Sequence, residues 1–426
     1  MLSKPEREQI IALIKREVVP AIGCTEPIAV ALCVAKAREI LGTEPEKVSA
    51  RLSANILKNA MGVGIPGTGM IGLPIAIALG ALVGRSEYQL EVLKDSDAKA
   101  VERGKRFIEQ GRIDISLKEG ITEKLYIEIE VSGGGHSAVA IIAGGHTNFV
   151  FISRDGETLQ ESRRTSGSEQ EAQGVELNLR KVFDFAMTTP LDEIRFILEA
   201  KRLNKAAAED SFKNNYGHCV GNTLRHAPEL RIIGDCALSR ILSYTCAACD
   251  ARMGAMVPVM SNSGSGNQGI ATTLPVVVYA EEIKADEEHL VRALVLSHLT
   301  AIYIKQSLGR LSALCGCVVA ATGSSCGITY LMGGGYEAVS FAVKNMIANL
   351  TGMMCDGAKP SCSLKLMTGV STAVLSAMLA MENHSVSSVE GIIDDDVDKS
   401  IRNLTLIGRD GMNETDHLIL KIMTSK

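Results

Sequence analysis

Residues 125–132 read LYIEIEVS, and this period of two decides the fold class of the chain around it. Ile127, Ile129 and Val131 face one way and Glu128 and Glu130 the other, as a strand buried on one face requires. Gly133-Gly134-Gly135 and Gly144-Gly145 supply turns, and further strands are expected over Ser137–Ala143 and Asn148–Ile152. Outward from this patch the period becomes helical. Pro5–Val18, Pro27–Leu41 and Ala98–Gln110 carry apolar residues at helical spacing, and from about Leu191 the pattern persists to the C-terminus. The expected fold is mainly α with an inserted α+β module. Residues 1–85 and 191–426 make an all-helical domain, and 86–190 a small antiparallel sheet covered by helices.

The chain has 426 residues, more than a single core holds, and its 46% hydrophobic content excludes a disordered protein. Its 44 basic and 49 acidic residues are spread along the chain, so no basic footprint for nucleic acid exists. Eleven cysteines are too few for a disulfide scaffold of this length. The first residues, MLSKPEREQIIALIKREVV, lack the apolar stretch of a secretion signal, so a reducing cytoplasm is the expected compartment. Two uncharged stretches, Met61–Gly84 and Leu311–Tyr336, reach the length of a membrane span. Their glycines and prolines fit close backbone packing better than lipid contact, and both are expected to be buried core.

Cys24 lies in AIGCTEPIAVAL, where Gly23 breaks the preceding structure and Pro27 suits the first turn of a helix. A thiol at a helix N-terminus meets free N–H groups and the positive end of the dipole, which favour thiolate. Cys33, further along the apolar face, is expected in the core. Cys355 and Cys362 frame MMCDGAKPSC, at the end of one helix and the start of the next, with Lys359 and Lys365 nearby. Two such thiols can converge on one metal centre, with a third from Cys315, Cys317 or Cys326. Three thiolates and no more leave one iron of a [4Fe–4S] cluster open as a Lewis acid. Cys246-Ala-Ala-Cys249 sits in a continuous helical pattern without a second ligand pair, so it is expected as buried core. The loop Ser261–Gly269 (SNSGSGNQG) exposes small donors able to cradle a carboxylate or phosphate, and Asn59–Gly69 is a second such turn. His136 and His146 follow glycines and read as surface turns. The run Asp394–Asp398 reads as a solvated helix start.

At GCTEP around Cys24, SNSGSGNQG over Ser261–Gly269, and Cys315, Cys355 and Cys362, the chain resembles the L-cysteine desulfidase family, relatives of the iron–sulfur L-serine dehydratases. The resemblance runs over nearly the whole chain. It implies a [4Fe–4S] cluster on Cys315, Cys355 and Cys362, with Cys24 as the catalytic base. It also implies elimination of sulfide from L-cysteine to give pyruvate and ammonia. Thr25, Asn59, Thr68, Ser261, Asn262, Ser263 and Asn267 are the expected substrate-binding residues. The expected partners are a small amino acid and a second copy of the chain, with neither nucleic acid nor membrane. Three alternatives remain at this point. They are L-serine dehydration at the same site, a pyridoxal phosphate lyase using Lys58 or Lys365, and a non-catalytic membrane or transport protein.

Overall fold

The computed structural model describes residues 2–121, 123–162, 175–226, 234–309 and 311–425. Six strands make one sheet: Lys47–Leu52 (β1), Ile113–Leu117 (β2), Tyr126–Gly133 (β3), His136–Ala143 (β4), Phe149–Arg154 (β5) and Glu157–Glu161 (β6). Their spatial order is β2-β1-β3-β4-β5-β6. Only β1 and β2 pair in parallel. Gly134 and Gly135, both at positive φ, close the β3–β4 hairpin in the two-residue turn that matches strand twist. Ile127, Ile129 and Val131 are fully buried, as their alternation requires. Glu128 is buried too, because Arg51 and Lys118 each hold it at 2.7 Å and the Tyr126 hydroxyl at 2.6 Å.

Helix Thr25–Leu41 is apolar on nearly every side over residues 25–35 and is buried throughout that stretch, with the sheet against one face and helix Leu73–Leu82 against another. A Cβ on Gly80 would stand 2.6 Å from the Ala31 carbonyl, so glycine sets how closely the two helices approach. Cys33 is core, as expected, with its sulfur on the Ala140 carbonyl at 3.2 Å.

The mainly helical architecture with an α+β module is as the sequence implies, but the boundaries at 85/86 and 190/191 are not where the core divides. One core runs from Ala21 to Ile142 and includes β1 and the helices Thr25–Leu41 and Leu73–Leu82. The other joins Ile10–Val18 to residues 177 onward, and takes in Val182 and Phe185 of helix Leu179–Thr188. The sheet therefore draws a strand and its covering helices from the first 85 residues. β1 (KVSARL) escaped notice because it is six residues long and carries two charges.

The second core is built on helices Ala237–Arg252, Gly266–Glu282, Glu287–Leu308, Gly316–Leu331, Tyr336–Leu350 and Cys362–Met381. Gly316–Leu331 runs through its middle. A Cβ on Gly323 would stand 2.3 Å from the Ser297 carbonyl, which is why this segment is rich in Gly, Ala, Ser and Cys. Neither uncharged stretch is one long helix. The first is a turn followed by the ten-residue Leu73–Leu82, and the second contains the 16-residue Gly316–Leu331. Among the described residues one helix, Cys362–Met381, has the length and hydropathy of a membrane span, and half of it is buried in this core.

A short antiparallel pair, Pro20–Ile22 with Pro258–Met260, joins the two cores. Cys24 follows the first strand by two residues and Ser261 follows the second directly. That pairing brings two segments almost 240 residues apart to one place.

Candidate active site

Cys24 is the N-cap of helix Thr25–Leu41 and is 1% exposed. Its thiol donates to Glu26 Oε2 at 2.9 Å. Asn59 Nδ2 donates to Oε1 of the same carboxylate at 3.1 Å, and the Thr25 hydroxyl lies 3.0 Å from Oε2 and 2.6 Å from the Gly264 carbonyl. The helix start is as expected, but the thiolate expected there is opposed by its surroundings. Burial, and then the Glu26 charge, push the Cys24 thiol well above its usual range, against the pull of Arg252. A helix dipole contributes at most ~2 kcal/mol, about one and a half decades of acidity, and it loses to full burial beside a carboxylate. Glu26, although burial works the other way, is held below the usual carboxylate range by His146, the Cys24 thiol and Arg252. At rest the pair is a neutral thiol on an ionised carboxylate.

The loop residues divide. Ser261 Oγ donates to the Val19 carbonyl at 2.6 Å, and Ser263 Oγ to Asn262 Oδ1 at 2.9 Å. Asn262 Nδ2 donates to His298 Nδ1 at 3.1 Å and to the His298 carbonyl at 3.2 Å. Thr68 Oγ1 donates to the Ile65 carbonyl at 2.6 Å and accepts from the Met70 amide. Each of these four side chains thus has a protein partner: Ser263 and Thr68 within their own turns, Ser261 on the Val19 carbonyl and Asn262 on His298. Asn267 remains at the site, with Oδ1 receiving Arg252 Nη1 at 2.7 Å and the Cys249 thiol at 3.2 Å.

Three of the cysteines gather at helix ends. Cys315 caps Gly316–Leu331, and Cys362 opens Cys362–Met381. Backbone bonds from Cys315 N to Met353 O (2.9 Å) and from Cys355 N to Ala313 O (2.6 Å) set Cys315 beside Cys355. The neighbouring Cys315 thiol, against the effect of burial, and with help from Lys58, lowers Cys355, while Cys315 itself is raised, so Cys355 is the more acidic of the two. Cys362 Sγ accepts from the Lys359 amide at 3.4 Å, and burial raises its thiol. Of the other two sulfurs considered as third ligand, Cys317 lies against Cys362 with Sγ on the Lys365 carbonyl. Cys326 points away, bonded to the Thr322 carbonyl.

The loop between Cys355 and Cys362 rests on the turn that holds Glu26. A Cβ on Gly357 would stand 2.8 Å from the Lys58 carbonyl and 2.9 Å from Asn59 Cα, and Gly357 sits at φ +95°. The Lys359 ammonium, lowered by its burial, interacts with Asp356, Cys362, Cys355 and Cys24 in turn. Lys58 and Lys365 are both engaged in ion pairs, with Asp416 and Asp356 respectively.

Residues 87–421 match the family described as the serine dehydratase alpha chain, well over half of the chain. The chain belongs to the iron–sulfur serine dehydratase-like family. A UPF0597 protein of Bacteroides fragilis is 71% identical over 426 residues, all of both chains. One of Porphyromonas gingivalis is 58% identical over 427 residues, 99% of each. One of Aeromonas hydrophila is 44% identical over 427 residues, 99% of this chain and 97% of its own. The part matched to the dehydratase family holds Ser261–Gly269, Cys315, Cys355 and Cys362. Cys24, Glu26 and Asn59 lie ahead of it.

Sequence reasoning about this dehydratase-like chain overlooked four side chains: Glu26, Arg252, His298 and the site-facing role of Cys249. Cys246 and Cys249 are buried in helix Ala237–Arg252, as expected, but Cys249 lies against Cys362 as well as Asn267. His146, expected at a surface turn, is buried and lies close enough to Glu26 to stabilise its charge. His136 is exposed and paired with Asp155, away from the site.

His298 is fully buried and lowered to about 3 by that burial. Asn262 donates to its Nδ1, so Nε2–H is left to meet Thr273 Oγ1 at 3.0 Å. The unfolded chain takes up a proton on this histidine near pH 6.5 and the folded chain does not. Its contribution is therefore whole above pH 6.5 and is lost as pH falls, by about 3 kcal/mol at pH 4. Urea unfolding at pH 7 and pH 4 is expected to show a smaller acid loss in His298→Gln than in the unaltered protein. Equal losses would remove His298 as the cause.

Proposed function

We propose that this chain is an L-cysteine desulfidase, converting L-cysteine and water to pyruvate, ammonia and hydrogen sulfide. The observation that carries the reading is that the Cys355–Cys362 loop, through Gly357, rests on Lys58 and Asn59, and Asn59 holds the Glu26 carboxylate on the Cys24 thiol. Cys315, Cys355 and Cys362 are the residues that would hold a [4Fe–4S] cluster. Their chemistry fits: three thiols at helix starts or loop ends, one made more acidic by its neighbour, with Lys58, Lys359 and Lys365 to balance negative charge. Among the described residues no three acidic, His or Cys side chains converge on one point as a single ion requires. A four-iron cluster does not ask for that, because each thiolate binds a different iron. When bound, the cluster supplies a Lewis acid for the leaving sulfide.

The chain's own residues supply the proton chemistry. The Cα–H of an amino acid is a very weak acid, so its removal needs a strong, desolvated base beside it. The Cys24 thiol passes its proton to Glu26 Oε2, and the resulting thiolate takes the α-proton. Asn59 and Thr25 keep the Glu26 carboxylate aimed at the sulfur through both transfers. Loss of the β-sulfur leaves 2-aminoacrylate, which tautomerises and hydrolyses without further help. With all eleven cysteines free, we place this work in the reducing cytoplasm.

The description of the matched family favours L-serine as the second reading. Protein reconstituted anaerobically with iron and sulfide, assayed with each amino acid, decides between them. The expected result is a kcat/KM at least about tenfold higher for L-cysteine, the ~1.4 kcal/mol that a better-matched leaving group requires. Equal or faster turnover of L-serine would make the protein a dehydratase.

A further inference from the structure

Arg252 ends helix Ala237–Arg252 and is the largest fully buried side chain among the described residues, 1% exposed. A buried guanidinium ordinarily pairs with a carboxylate, because leaving it uncompensated costs several kcal/mol. Here its Nη1 goes to the neutral Asn267 amide oxygen, and its Nε has no hydrogen-bond partner. Its charge is felt at Cys24, Glu26, Cys249 and Cys362, on both sides of the site. Glu26 faces it as a charge, but its hydrogen bonds go to Cys24, Thr25 and Asn59, not to the guanidinium.

The loop opposite is cut to admit this side chain. A Cβ on Gly266 would stand 2.4 Å from Arg252 Nε and 2.8 Å from its Cδ, so glycine at 266 leaves the guanidinium its place. Gly266 also begins a 17-residue helix. Ser265 caps that helix by taking the Gln268 amide on its hydroxyl and the Gly269 amide on its carbonyl. The first-turn amides of Gly266 and Asn267 have no carbonyl of their own helix to bond. A cation with an unspent donor therefore meets a helix N-terminus, between the base and the cysteine loop.

We propose that Arg252 and the Gly266–Asn267 helix start form the binding site for the α-carboxylate of the amino-acid substrate. Planar guanidinium donors match a carboxylate in two points, and the helix start adds partial positive charge. The carboxylate held there sets Cα near Cys24 and the β-substituent toward Cys355 and Cys362. This deepens the function proposed above and rests on it for the substrate class. Arg252 takes this role in place of the hydroxyls of Ser261 and Ser263, which donate to the Val19 carbonyl and to Asn262 Oδ1.

L-Alanine, which has the carboxylate and ammonium but no leaving group, is the probe, with L-alaninamide as the partner lacking the negative charge. In the reconstituted protein L-alanine is expected to raise the melting temperature and L-alaninamide to leave it unchanged. Arg252→Gln is expected to abolish the L-alanine shift and to raise KM for the turned-over amino acid about 100-fold, with kcat changed much less. Arg252→Lys keeps a charge without the fork and is expected to weaken L-alanine about tenfold. Equal stabilisation by L-alaninamide, or an unchanged L-alanine shift in either variant, would overturn the proposal. If Arg252→Gln does not fold, the lysine variant and the amide comparison still decide. If Arg252→Lys loses iron but its remaining loaded fraction binds L-alanine normally, the guanidinium balances cluster charge and the proposal fails. Wild-type protein that binds L-alanine through Arg252 yet turns over neither amino acid would fault the proposed reaction and leave the carboxylate site standing.

Discussion

Cys24→Ser is expected to lower kcat by at least about 10³-fold while iron content and melting temperature stay near those of the unaltered protein. Serine is nearly isosteric with cysteine, and its hydroxyl can donate to Glu26 Oε2 from the same helix N-cap, a position serine favours. What it cannot do is ionise at reachable cost, because an aliphatic hydroxyl is a far weaker acid than a thiol. Cys24 is one residue from the strand–helix junction and is not among the three residues assigned to the cluster, so iron is untouched. A variant retaining a tenth of the activity would show that the α-proton leaves by another route.

Glu26→Gln is expected to lower kcat by about 10²–10³-fold with little change in KM. The amide keeps the size of the side chain and its Oε1 still accepts from Asn59. It cannot take the Cys24 proton, and the raised thiol is then left without a buried base. Because Glu26 is held below the usual carboxylate range, the unaltered protein stays active until the pH falls through that lowered range. The same acid limb is expected to vanish from the weak residual activity of the glutamine variant. Glu26→Asp, with the carboxylate one methylene short, is expected to recover part of the rate. A glutamine variant with an unchanged pH profile would reduce Glu26 to a structural role.

The alternation of Ile127, Ile129 and Val131 and the double glycine after Gly133 made the sheet legible, because a one-sided strand and a tight hairpin write themselves locally. GCTEP placed Cys24 at a helix start for the same reason. What the sequence withheld is tertiary. The protonation of Cys24 depends on burial beside Glu26, and Glu26 by itself reads as an acid complementing a helix dipole. Arg252 reads as a basic residue at a helix C-terminus, and only the clash of a Cβ on Gly266 with its Nε reveals where it points. Cys249 reads as half of an idle pair until Cys362 is brought against it. The serines and Asn262 of the loop looked available because small polar residues on glycine-rich turns often bind ligands. Here the carbonyl of Val19 and the ring of His298 claim two of them first.

Iron and acid-labile sulfide, counted per chain after anaerobic reconstitution of the unaltered protein and of single Cys→Ser variants, test the account at its base. Four of each are expected in the unaltered protein, most of both lost in Cys315→Ser, Cys355→Ser and Cys362→Ser, and both kept in Cys326→Ser. Full iron in Cys362→Ser, or none in the unaltered protein after reconstitution, would contradict it.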